Sequence, residues 1–285
     1  MAQMPPLDVS LRRMSDFDIR FSGVARLFGM DALARLRAAH VCVIGIGGVG
    51  SWAVEALARS GIGRLTLIDL DEVCISNVNR QLHALNAYVG QPKVEVMAER
   101  VRGINPECEV RAVPEFFTES TAGSLLEPPY DFVVDAIDSL AQKCRLIALC
   151  RDKTISLVTC GGAGGRRDPT QVRVTDLAFT THDRLLQKVR DKLRKDFGFP
   201  RGEKKFGIDA VYSPESPVFP SRDGTVCAQR EASADGQSLR LNCDSGFGTA
   251  AFVTGAFGFV AAARVVQHIA EKIRREDAEM ERREK

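Results

Sequence analysis

The stretch that most constrains this chain is Val41-Cys-Val-Ile-Gly45-Ile-Gly47-Gly48-Val-Gly50-Ser51. An apolar run of strand character stops at Gly45, a glycine turn follows, and Ser51-Trp-Ala-Val-Glu-Ala-Leu-Ala-Arg59 then has the pattern of a helix. Strand, tight turn and helix start form the context in which a glycine motif becomes informative. Glycines allow the backbone to turn sharply and approach a phosphate chain, while free N–H groups and the helix dipole attract negative charge. An acid follows 24 positions after Gly45, at Asp69, closing the run Leu65-Thr-Leu-Ile-Asp69. There it can accept hydrogen bonds from a ribose. The segment therefore predicts a site for a ligand carrying phosphate and ribose.

Strand and helix patterns alternate over residues 40–160. A helix is expected at 30–39 and another from Gly90-Gln-Pro92-Lys93 to about residue 104; strands are expected at 109–113, 131–135 and 155–160. That alternation predicts an α/β, doubly wound, mainly parallel sheet of Rossmann type, continued by antiparallel strands. Residues 1–18 read as a loose arm. Beyond Cys160-Gly-Gly-Ala-Gly-Gly165 a strand is expected at 171–175, then a strongly charged helix at 183–197. Residues 198–245 are rich in Pro, Ser, Gly and charge, and read as a long mobile connection over the ligand edge of the sheet, since loops of that length are usually functional. The expected organisation is an N-terminal arm and helix (1–38), one nucleotide-binding domain (39–270, nucleotide half 39–160 and substrate half 161–270), and a charged tail (271–285).

Residues 246–266 contain no acid and one base, Arg264. Length alone would permit a membrane span. Their Gly, Ala and Thr content favours a buried final helix, packed on the sheet or on a twin subunit, and the cytoplasm as the compartment; membrane association through this segment is the alternative. The eight cysteines contain no C-x-x-C pair, which removes the usual spacing of a tetrahedral zinc site. Most read as small buried hydrophobes in a reducing compartment.

The glycine turn and the acid do not separate NAD from ATP. Downstream residues do. Arg80 and Lys93 occupy polar segments after the second strand, and Asp138 lies just past the end of another. Ligands of open sheets gather at the carboxyl ends of strands, so these three side chains can converge on the nucleotide. Two cations on a triphosphate and a carboxylate able to hold Mg²⁺ suit attack on a phosphate, for which hydride transfer has no use.

Gly45-Ile-Gly-Gly-Val-Gly-Ser51, Leu67-Ile-Asp-Leu-Asp71, Ser76-Asn77-Val-Asn79-Arg80-Gln81, Lys93 and Asp135-Ala-Ile-Asp138-Ser139 resemble, in order and spacing, the ubiquitin-activating-enzyme-like adenylyltransferases that include ThiF and MoeB. The resemblance implies ATP bound with Mg²⁺ and a substrate carboxylate attacking the α-phosphate to form an acyl-adenylate and pyrophosphate. It implies Asp69 on the ribose, Asn77 and Arg80 on phosphates, Lys93 offsetting transition-state charge, and Asp138 on Mg²⁺. Gly45, Gly47, Gly48, Gly50, Asn79 and Ser139 join the expected nucleotide site. An arginine from the N-terminal arm is also implied, with Arg20 and Arg26 as candidates and Gly23 where many relatives carry arginine.

Further segments, among them Gln81-Leu-His-Ala-Leu85, Ile104-Asn-Pro-Glu-Cys108, Asp168-Pro-Thr-Gln171 and Asp244-Ser-Gly-Phe-Gly248, are similar to the tRNA-modifying branch of that superfamily. That branch implies a tRNA substrate and ATP-dependent dehydration of threonylcarbamoyladenosine beside the anticodon, by adenylation of the threonyl carboxylate and ring closure. It also implies a homodimer. The alternative is activation of the C-terminus of a ubiquitin-like sulfur carrier, which the missing cysteine pairs disfavour. Independently of resemblance, residues 184–205 hold nine Lys or Arg against three acids, a local surplus suited to a phosphate backbone. Cys243, just before an expected helix start, is a candidate nucleophile or sulfur-transfer point toward a partner. The connector at Gly161–Gly165 could offer carbonyls to a monovalent cation, or serve as a plain hinge.

Overall fold

The computed structural model describes residues 15–221, 223–228 and 247–283. The chain opens with α1 (Asp16–Phe28) and α2 (Met30–Ala38), then β1 (His40–Ile44), α3 (Gly50–Arg59), β2 (Arg64–Ile68), α4 (Lys93–Ile104) and β3 (Glu109–Val113). It continues through α5 (Ala122–Leu125), β4 (Phe132–Asp135), α6 (Leu140–Asp152), β5 (Leu157–Cys160), β6 (Arg173–Asp176), α7 (Arg184–Asp196) and β7 (Asp209–Tyr212). A short hairpin, β8 (Phe219–Pro220) with β9 (Val226–Cys227), precedes the long α8 (Ala251–Arg283).

One sheet of seven strands runs β3-β2-β1-β4-β5-β7-β6. Every pairing is parallel except β6 with β7. The order reverses between β1 and β4, paired from Val41↔Phe132 to Ile44↔Asp135, and the crevice beyond their carboxyl ends is where such sheets take ligands. Near-continuous apolar burial of β1, β4 and β5 follows from helices covering both faces. One core lies under α3, α4 and α8, with Val54, Leu57, Met97 and Phe257 buried in it; the other lies under α6 and α7, around Ile147, Leu186 and Val189.

Several elements depart from the sequence reading, two of them in the body of the fold. The arm expected over 1–18 already carries α1 from Asp16, started by a capping box in which Ser15 and Asp18 satisfy each other's backbone N–H groups. The stretch 198–245, read as connection throughout, includes β7, which enters the interior of the sheet between β5 and β6. Its four residues offer too short an apolar run to stand out from a segment rich in Pro and Gly; pairing on both sides creates the strand.

The apolar C-terminal segment forms α8, of which Ala251–Glu271 is long and apolar enough to cross a membrane by length and composition. Here it packs along α3 and reaches α2 and the sheet, with Val253, Phe257, Ala261 and Val265 buried. Gly258 marks the closest approach: a Cβ there would lie 2.6 Å from the Val49 carbonyl oxygen.

Candidate active site

Gly45 ends β1 with a φ of +91°, its N–H donating to the Ile68 carbonyl at 2.9 Å. A side chain is excluded, since a Cβ on Gly45 would sit 2.7 Å from the Ala136 carbonyl oxygen just past β4. Gly50 is tighter still: its Cβ would meet the Gly45 carbonyl oxygen at 1.8 Å. The turn therefore folds back on itself and presses against the end of β4, while the space over Gly47 is open to within 3.9 Å of the Gln81 amide nitrogen. A glycine-rich backbone, opening over Gly47 at the amino end of α3, is the cradle a phosphate chain requires.

Asp69 closes the turn from the neighbouring strand. Its Oδ2 accepts from the Ile46 N–H at 2.6 Å and its Oδ1 from the Asp71 N–H at 2.8 Å. Burial raises its pKa, opposed by the nearby Lys93 ammonium and these two N–H groups. Lys93, the first residue of α4, is itself buried and pairs with Asp71 at 2.7 Å. Beside it lies His83, whose two ring nitrogens have no hydrogen-bond partner among the described residues. Burial, aided by the Lys93 charge, pushes the His83 pKa down to about 4.

The segment after β2 brings Asn77, Asn79, Arg80 and Gln81 to the same edge. Asn77 is buried and its side-chain oxygen accepts from the Cys74 N–H, holding the turn. Asn79 donates to the Thr249 carbonyl at 2.8 Å, tying this turn to the start of α8. The Arg80 carbonyl is gripped by Trp52 Nε1 of α3 at 3.0 Å and by Thr254 Oγ1 of α8 at 3.1 Å. That grip sets the Arg80 side chain beside Gly48, where a Cβ would be 3.6 Å from Arg80 Cγ. The guanidinium donates to the Ser76 carbonyl and the Asn79 side-chain oxygen.

Asp138 and Ser139 lie in the turn from β4 to α6. Asp138 is exposed, and Ser139 occupies the N-cap of α6, its hydroxyl bonded to Gln142. Under the turn, Asp135 and Lys143 form a fully buried ion pair at 2.9 Å. Among the described residues no group of three or more His, Cys, Asp or Glu side chains is placed to hold a metal. A single exposed carboxylate such as Asp138 is the kind of group that holds a Mg²⁺ whose other ligands are water and phosphate oxygens.

The structure thus sets the glycine turn, Asp69, Arg80, Lys93 and the Asp138 turn on one edge of the sheet. Arg20 is elsewhere. It pairs with Asp16 and donates weakly to the Ile104 carbonyl, and Phe21 of the same helix packs on Gly61 before β2 begins. Arg20 therefore stands at the amino ends of the strands, opposite its own glycine turn. Gln81 escaped the sequence reading as a site residue: its amide faces Gly47 and its side-chain oxygen is buried without a partner among the described residues. Its adjacency to Arg80 was the available signal. Lys143 gave none, because a lysine in a helix pattern reads as solvated. Cys243 lies outside the described residues. Of the described cysteines, Cys42, Cys108, Cys144, Cys150 and Cys160 are buried, and burial pushes the Cys108, Cys150 and Cys160 thiols up to about 12.

Residues 22–282 match the family model described as "ThiF family". The chain belongs to the ThiF family. It is 53% identical over 258 residues to the tRNA threonylcarbamoyladenosine dehydratase of Escherichia coli (strain K12), covering 90% of this chain and 96% of that one. A crystal structure of E. coli tRNA N6-threonylcarbamoyladenosine dehydratase, TcdA, in complex with ATP superposes with a TM-score of 0.81 at 47% identity, covering 92% of this chain and 98% of that one. The E. coli molybdopterin-synthase adenylyltransferase is 35% identical over 136 residues, 48% of this chain and 54% of the relative.

Proposed function

We propose that this protein is an ATP-dependent tRNA threonylcarbamoyladenosine dehydratase. The observation that carries the chemistry is the glycine turn closed by Asp69, with Arg80, Lys93 and Asp138 at the same sheet edge. The relationship over nine-tenths of the chain carries the substrate.

Asp69 keeps acceptor capacity for the ribose hydroxyls, and the N–H groups of residues 47–50 receive the phosphates, with Asn77, Asn79, Arg80 and Ser139 around them. Mg²⁺ held by Asp138 would supply charge neutralisation on the phosphate oxygens. A threonyl carboxylate oxygen attacks the α-phosphorus, and the bond to pyrophosphate breaks. Lys93, buried and desolvated, offsets the charge that develops there. The carbamoyl group of the same side chain then attacks the acyl carbon; the bond to AMP breaks, a proton is lost, and the carboxylate oxygen departs on AMP. The net change is loss of water. Ring closure within one molecule gains from proximity, so the protein need only activate and orient. This sequence needs no thiol, and Cys243 has no step in it.

The basic surplus of residues 184–205 supports a tRNA phosphate backbone as the binding partner. A homodimer is supported by the position of Arg20, away from its own turn, and by the exposed Leu27, Phe252 and Phe259. The extensive packing of α8 on α3 supports a cytoplasmic protein over a membrane-anchored one. A monovalent cation near 161–165 would draw on carbonyls other than that of Gly165, which already accepts from the Val218 N–H.

The test is incubation with ATP and tRNA bearing threonylcarbamoyladenosine, followed by nucleoside mass spectrometry. The expected product is lighter by one water, with one AMP per conversion; an unchanged nucleoside while ATP binds would refute the function. With ¹⁸O in the threonyl carboxylate, label should appear in AMP.

A further inference from the structure

Beyond the nucleotide crevice, a cleft of about 300 Å³ opens between the start of α7 and the segment after β7. Pro217 and Phe219 make an apolar wall; His182, Arg184, Gln187 and Ser216 supply polar groups. Arg184 holds its guanidinium 5.7 Å from the Phe219 ring centroid. His182 adopts a φ of +56°, uncommon for a residue with a side chain. Behind the wall lies Arg166, buried, one guanidinium nitrogen donating to the His182 carbonyl at 2.9 Å. Its Nε and the other terminal nitrogen have no partner among the described residues.

The cleft lies on the same edge as the glycine turn. Asp183, between His182 and Arg184, accepts from the Gly162 N–H just beyond β5. From the β1–β4 crevice to the β5–β7 boundary is two strand spacings, about 10 Å. The four bonds from an adenine N6 through a carbamoyl group to a carboxyl carbon span about 5 Å when extended. From a base whose N6 lies at the mouth of the cleft, the carboxylate covers about half of that two-strand distance in the direction of the crevice. Flat apolar walls with a guanidinium and an amide at the rim match the chemistry of an unstacked base.

We infer that this cleft seats the adenine base of the substrate nucleoside, with Arg184, itself held over the Phe219 ring, against one face and Gln187 at its edge. The inference rests on the function proposed above and specifies where its substrate lies. The experiment measures binding of the anticodon stem-loop carrying threonylcarbamoyladenosine, and of the same stem-loop abasic at that position, to the full chain with ATP bound. The unsubstituted protein should prefer the base-bearing RNA by about tenfold, the size of a single base-stacking contribution. Gln187→Ala should reduce that preference severalfold and Ser216→Trp, which fills the cleft, should abolish it, with ATP affinity and binding of the abasic RNA unchanged. A preference absent from the parent protein, or retained undiminished in both variants, overturns the inference. Should Ser216→Trp fail to fold, Gln187→Ala decides it alone. Binding needs no turnover, so failure of the activity and failure of this assignment are read in separate experiments.

Discussion

Lys143 of α6 reaches back under the end of β4, its Nζ 2.9 Å from Asp135 Oδ2 and 2.8 Å from the Ile137 carbonyl oxygen, with both charges fully buried. Asp135 also accepts from Thr159 Oγ1 and the Ile137 N–H. The pair thereby locks the turn that carries Asp138 to the nucleotide edge. A buried pair with one member removed is costly, because the survivor keeps its desolvation penalty. Lys143→Met should destabilise the fold by about 3–5 kcal/mol in urea titration. Adding Asp135→Asn should recover part of that loss; a simple sum of the two single effects would argue against coupling.

Gly47 and Gly50 should respond differently to the same added methyl. At Gly50 it collides with backbone at 1.8 Å, so Gly50→Ala should lower the melting temperature and abolish ATP binding. At Gly47 the methyl enters open space, so Gly47→Ala should fold normally and lose ATP affinity by tenfold or more. Calorimetry paired with nucleotide titration separates the two outcomes.

Lys93→Ala should cut pyrophosphate release by about 10²–10³-fold while changing ATP affinity far less, as expected of a charge that acts mainly in the transition state. Equal losses in binding and turnover would show instead that Lys93 serves the ground state.

His83 makes stability depend on pH. Its folded pKa is about 4 against an ordinary 6.5, so above pH 6.5 both states are neutral and its contribution is complete. As pH falls from 6.5 toward 4 the unfolded chain takes the proton first, and about 3 kcal/mol is lost across that window. In His83→Leu this part of the acid sensitivity should vanish, measured as the shift of the urea midpoint between pH 7 and pH 5.

What the sequence determined by itself is local and periodic. The glycine turn, Asp69, the run from Asn77 to Arg80, Lys93 and Asp138 were legible because strand, turn and helix each impose a spacing on the chain, and the parallel α/β class followed from their alternation. Tertiary structure alone decided the rest. The interior place of β7 comes from pairing with β5 and β6, and the clamp on Arg80 comes from Trp52 and Thr254, the latter 174 residues away. The buried Lys143, and the separation of Arg20 from the turn of its own chain, likewise depend on which faces meet. A charge in a sequence reads as solvated, and only packing reveals that its water has been removed.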